Sequence, residues 1–147
     1  MKDKDYNISV HLGFIQNTIN RMSEHSSKCK NWVLTLFAAL AAFFFSSEKI
    51  CGNNFIFLIM ILIVLIVFWG LDAYYLKMER IFRRLYDKVR FANDETENTY
   101  DMSIEPFIKD EQSVVRIMFS KSICPVYLPL VLSVLLFMLS KIFLEYR

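Results

Sequence analysis

From Phe55 to Trp69 the chain reads FIFLIMILIVLIVFW, fifteen consecutive apolar side chains without a polar position. A soluble helix of that length would show a polar face. This one needs apolar surroundings on every side and predicts a membrane span reaching to about Tyr75. Two other apolar runs follow the same logic. Trp32 to Ser47 (WVLTLFAALAAFFFSS) is short for a hydrocarbon core of about 30 Å and needs flanking residues to cross it. Ile123 to Leu144 (ICPVYLPLVLSVLLFMLSKIFL) is long enough, with Lys141 placed to snorkel to the interface. Trp32, Trp69, Tyr74, Tyr75 and Tyr127 fall near the predicted interfaces, where amphipathic rings prefer to lie. The link EKICGNN (Glu48 to Asn54) is short and carries a turn signal, so the first two spans should form an antiparallel hairpin.

Outside the spans the apolar rhythm becomes helical. Ile8, Leu12, Ile15, Ile19 and Met22 recur at spacings of 4, 3, 4 and 3, the seam of a helix that packs on another helix. The seam is too short for a stable isolated coiled coil. Its partner is either a second chain or the basic helix of the same chain. A helix lying flat on the bilayer fits less well, because basic residues do not dominate its polar face. After the second span, Leu71, Tyr75, Met78, Phe82, Leu85 and Val89 repeat the rhythm, and Lys77, Arg80, Arg83, Arg84, Asp87 and Lys88 occupy the opposite face. Span and extension together predict one helix from Phe55 to Phe91, about 55 Å long. At Ala92 the composition turns acidic (ANDETENTYDMSIEPFIKDEQ), which predicts a loop or a short irregular subdomain. Ser113 to Ser122 predicts a short helix leading to the last span.

The expected fold is therefore an all-α membrane protein. It has three transmembrane helices, an N-terminal amphipathic helix and a cytoplasmic extension of the second span. The boundaries are 1–30 for the amphipathic helix, 31–75 for the hairpin, 76–122 for the basic helix and acidic loop, and 123–147 for the third span. The chain is 55% hydrophobic with a net charge of only +2, so no global charge argument for nucleic acid arises. The placement of charge is more informative. With three spans, fourteen Lys and Arg lie before the first span or between the second and third, against three elsewhere. The positive-inside rule then places the N-terminus and the long link in the cytoplasm. The N-terminus is polar ahead of the first apolar run, unlike a cleavable signal peptide.

Catalytic chemistry finds little support. Neither a Ser/His/Asp grouping nor a phosphate-binding, dinucleotide-binding or HExxH motif occurs. Cys29, Cys51 and Cys124 are odd in number and widely spaced, matching no disulfide framework or zinc pattern. His25 and Cys29 share a helix face but lack a second pair of ligands. The expectation is a protein that is not an enzyme and holds no metal or cofactor.

Three features could carry function. Asn31, Thr35, Ala38, Ala42 and Ser46 form a small and polar stripe along the first span. It either packs tightly on the second span or lines a narrow water path, and the latter requires an oligomer because three spans cannot enclose a pore. Asp72 sits at the inner mouth of the second span. There it would pair with a Lys or Arg of a neighbouring helix, form a cation-attracting ring in an oligomer, or stand exposed at the interface. Arg80, Arg83, Arg84, Lys88 and Arg90 form a basic face. It either attracts anionic lipids or, multiplied in an oligomer, builds a chamber for phosphates, with Phe82 and Tyr86 as stacking partners.

HLGFIQNTINRM (His11 to Met22), NWVLTLFAAL (Asn31 to Leu40) and FWGLDAYYLKMERIFRRLYDKVR (Phe68 to Arg90) resemble a family of small bacterial membrane proteins. These are the membrane effectors of the Hailong type of anti-phage defence. The resemblance covers roughly the first ninety residues and includes no catalytic signature. It implies an oligomeric channel-like effector in the bacterial inner membrane, a tetramer, with cytoplasmic helices as a latch. A nucleotidyltransferase encoded nearby would make single-stranded DNA oligomers that hold the effector inactive. Infection would remove them, and the opened pore would disrupt the membrane. Carried onto this chain, the latch is the helix of Ile8, Leu12, Ile15, Ile19 and Met22. The oligonucleotide or nucleotide signal would meet Arg80, Arg83, Arg84, Lys88 and Arg21. The alternative is a non-conducting membrane anchor that recruits a soluble partner through its amphipathic helices.

Overall fold

The polar stretch between Met22 and Trp32 contains neither Pro nor Gly, and nothing in it interrupts a helix. The N-terminal seam and the first apolar run accordingly lie on one unbroken helix, α1 (Lys2–Ser46), about 68 Å long. The expected boundary at residues 30 and 31 is no break in the backbone. The computed structural model describes residues 2–46, 54–91 and 101–145, and the side chains of 8–44, 55–91 and 101–143. Residues 47–53 of the link and the acidic run 92–100 lie outside the described residues, as does the side chain of Ser46.

The second long helix is α2 (Asn54–Phe91), span and stalk in one piece as the sequence predicts. It runs antiparallel to α1. Ile15 and Ile19 of α1 meet Leu85, Ser26 meets Asp72, and Phe44 stacks on Phe57. Contacts thus fall along α2 as they rise along α1. The seam partner is the basic helix of the same chain: Ile15 and Ile19 are buried, and Ile8, Leu12 and Met22 are half-buried.

Two short helices lead the chain to the last long helix. Pro106 opens α3 (Glu105–Ile108), where its missing N–H costs nothing. Ile104 and Phe107 pack against the Ile15, Ile19 and Leu85 cluster, closing the stalk on a third side. Ser113 caps α4 (Val114–Met118), its hydroxyl accepting from the Arg116 N–H at 3.4 Å. A turn through Ser120 then leads into α5 (Cys124–Glu145), with Pro125 in the first turn and Pro129 inside.

Among the described residues, two helices are long and apolar enough to cross a membrane, one spanning Phe55–Phe91 and the other Cys124–Phe143. The run from Trp32 does not join them. Its described part is short, and Lys28, Lys30 and Asn31 enter any stretch of span length. The outward faces of α2 and α5 are apolar, with Ile56, Met60, Ile63, Leu132, Leu136 and Leu139 exposed. Such a surface suits lipid. The main core lies between α1, α2, α4 and α5 and includes Val33, Leu58, Leu65, Trp69, Ile117 and Tyr127. Trp69 and Tyr127 therefore belong to this core and not to an interfacial belt. Trp32 and Tyr74 are exposed, as belt residues would be.

Candidate ligand face and buried charge cluster

Asp72 lies 18 residues into α2, about 27 Å along its axis, close to where the second span would leave hydrocarbon. Its side chain is fully buried against α1. A carboxylate withdrawn from water needs compensating charge and hydrogen bonds. α1 supplies both. Ser26 Oγ donates to Asp72 Oδ1 at 2.5 Å. Lys30 Nζ lies 2.9 Å from each carboxylate oxygen, with hydrogen-bonding geometry toward Oδ1, and also donates to Ser26 Oγ at 2.8 Å. Ser26 and Lys30 are one turn apart, so a single helix face presents hydroxyl and ammonium together. Of the roles open to Asp72, the structure shows pairing with a neighbouring helix; within the chain it opens onto no surface and lines no path.

The cluster extends to α5 and along α1. The buried Tyr127 hydroxyl lies near enough to feel the Asp72 charge but makes no hydrogen bond of ordinary geometry. One turn along, the His25 ring stacks on Tyr75 with the centroids 5.1 Å apart. Burial pushes the Cys29 thiol above its ordinary pKa. The Asp72 charge adds to that, and Lys30 opposes it. A raised thiol pKa means less thiolate at a given pH. Alkylation of Cys29 by iodoacetamide should therefore rise at a higher pH than for an open thiol. Asp72→Asn should move the profile part of the way back. Peptide mass spectrometry across a pH series separates Cys29 from the other two cysteines and checks the shift.

The small and polar stripe does not pack on α2. Val33, Phe37, Leu40 and Phe44 form the face of α1 that does. Asn31, Thr35, Ala38 and Ala42 are all exposed on the far side. Thr35 Oγ1 donates to the backbone carbonyl of Asn31 at 3.0 Å, and Asn31 itself is exposed. Sequence spacing identifies the stripe but gives no direction, because a helix can bury either face.

The basic face is already occupied by carboxylates of the chain itself. Arg84 Nη2 lies 3.1 Å from Glu111 Oε2, and Arg80 Nη1 lies 3.8 Å from Glu111 Oε1. The Glu111 side chain is only 4% exposed, whereas Arg80 and Arg84 are 34% and 46% exposed. Arg83 grips Glu79 one turn back through Nε at 3.0 Å and Nη2 at 2.8 Å. Lys88 is exposed on the same helix, and Arg90 lies 5.4 Å over the Phe91 ring. Arg21 has different surroundings, a depression lined by His11, Phe14, Asn17, Thr18 and Met102. The structure thus brings Arg80 and Arg84 together around one carboxylate and places Arg21 elsewhere.

Sequence reasoning missed Ser26, Lys30, Glu79 and Glu111. Glu79 was legible, since Glu four residues before Arg is a favoured helix pair. Lys30 with Asp72 and Glu111 with Arg84 depend on helix register and loop path, which leave no local trace. No protein-family model, curated protein or solved structure matches the chain.

Proposed function

We propose that this chain is the protomer of a homo-oligomeric, ligand-gated membrane pore. One observation carries the reading: Asn31, Thr35, Ala38 and Ala42 face away from the chain's own core at the depth of the hairpin. An exposed Asn amide and a row of small side chains are poor lipid contacts. Further copies of α1 would give them both close packing and water, with the stripe around a common axis. In this arrangement α1 crosses the bilayer as a third span, beside α2 and α5, and its N-terminus lies in the cytoplasm with the stalk. The basic stalk residues take a phosphate-bearing ligand, a nucleotide or a single-stranded DNA oligomer, that holds the pore shut. The tetrameric state and a role as an anti-phage effector acting on the bacterial inner membrane rest on the resemblance alone. A non-conducting anchor is less well supported, because Ile15 and Ile19, which would recruit its partner, are spent on α2.

Ala42→Leu tests the pore. Ala42 is exposed, so the larger side chain can extend away from the chain's described core. The expected result is loss of most ion flux from liposomes loaded with a potentiometric dye, with unchanged thermal unfolding. Full flux in Ala42→Leu would mean that the stripe lines no axis.

A further inference from the structure

Glu111 is unusual among the charged groups of the stalk. It is nearly buried, it comes from the segment that leads to α5, and it shares its two oxygens between two guanidinium groups. Those guanidinium groups are themselves half-open to solvent. Arg80 and Arg84 are one helical turn apart, so both project from one side of α2. Their hold on Glu111 is imperfect: one contact is a hydrogen-bond distance and the other, at 3.8 Å, is a looser charge contact. A phosphate group presents more acceptor oxygens and more charge than a carboxylate, and it can satisfy two guanidinium groups at once.

We propose that Arg80 and Arg84 form an anion seat which Glu111 fills as a built-in occupant, so that a phosphate-bearing anion binds the stalk by displacing Glu111. The proposal rests on the basic face being the ligand site, and adds competition and its consequence. Glu111 lies between two anchored elements. On one side Ile104 and Phe107 pack on the stalk cluster. On the other side Ser113 caps α4, where Ile117 is fully buried and Trp69 Nε1 donates to the Met118 carbonyl at 2.9 Å. Five residues separate the end of α4 from the start of α5. Expelling Glu111 therefore loosens an ionic tie between the stalk and the segment that positions α5. Phosphate on the seat and a docked segment become alternatives, a two-state element that a ligand can bias.

The test is a calorimetric titration of the full chain in neutral detergent with sodium pyrophosphate as probe. Glu111→Gln removes the competing charge and keeps the side chain's shape. It should bind pyrophosphate about tenfold more tightly than wild type. Arg80→Gln with Arg84→Gln should abolish binding with or without Glu111→Gln. In wild type, saturating pyrophosphate should speed amide hydrogen exchange across residues 104–118 and leave 56–66 unchanged. Equal affinity of Glu111→Gln and wild type, with binding still dependent on the two arginines, would overturn the competition and keep the ligand site. Binding that survives loss of both arginines would overturn the ligand site itself. Should Glu111→Gln fail to fold, the exchange measurement on wild type decides alone, and unchanged exchange overturns the proposal. Nanodiscs of phosphatidylglycerol against phosphatidylcholine, without pyrophosphate, identify the source of the phosphate. Faster exchange in phosphatidylglycerol alone names a lipid headgroup, and equal exchange in both names a free anion. None of these readouts needs ion flux, so they stand apart from the fate of the pore.

Discussion

Replacing Lys30 with Met should destabilise the chain by about 3–5 kcal/mol, more than the loss of its partner Asp72. The asymmetry follows from burial. The Asp72 side chain is fully enclosed and keeps only the Ser26 hydroxyl when Lys30 is gone. Lys30 is 23% exposed and has a flexible stem, so without Asp72 its ammonium can swing toward water. Asp72→Asn should accordingly cost only about 1–3 kcal/mol, the range for a disrupted buried polar contact. Lys30→Met combined with Asp72→Leu should recover most of the loss, because an apolar pair of similar volume avoids desolvating two charges. Thermal unfolding of the detergent-solubilised protein, followed by circular dichroism, ranks the variants. A double variant no more stable than Lys30→Met alone would mean that the pair sets helix register in a way apolar packing cannot replace.

The Lys30–Asp72 pair also marks the limit of what the chain's pattern discloses. The pattern made α2 legible from end to end, because the all-apolar run passes into the Leu71 to Val89 rhythm without Pro or a Gly cluster between them. The same rhythm disclosed the seam at Ile15 and Ile19 but left its partner open, since a period identifies a face and not what covers it. The contrast between an amphipathic stretch and an apolar run hid the continuity of α1. The polar stretch around Ser26 and Lys30 looks like a connection, yet it is the part of α1 that holds the buried charge. Trp69 misled in the other direction. A Trp at the end of an apolar run suits a lipid interface, and here α4 covers it, a short helix whose existence the sequence predicts but whose packing partner it does not give. The basic face was legible as charge; its occupation by Glu111 was not, because the intervening chain can take many paths.

Trp69→Ala should cost about 3–5 kcal/mol, the range for truncating a buried aromatic side chain. The ring ties three elements together. It stacks on Tyr127 of α5 at 5.9 Å with the planes 2° apart, and meets Phe119 edge-on at 5.4 Å. Its indole N–H serves the Met118 carbonyl near the end of α4. Trp69→Phe keeps most of the packing and removes that donor alone, so its cost should be nearer 1–3 kcal/mol. The difference matters for function because α4 is the only described element between the Glu111 tie and α5. If α4 transmits the state of the anion seat, Trp69→Phe should fold and still bind pyrophosphate, while hydrogen exchange in the first turns of α5 no longer responds to it. Trp69→Ala, by contrast, should melt well below wild type, and α5 should exchange rapidly with or without the anion. A Trp69→Ala protein as stable as wild type would place the anchorage of α5 elsewhere, in the contact of Phe44 with Phe137 across the far end of the helices.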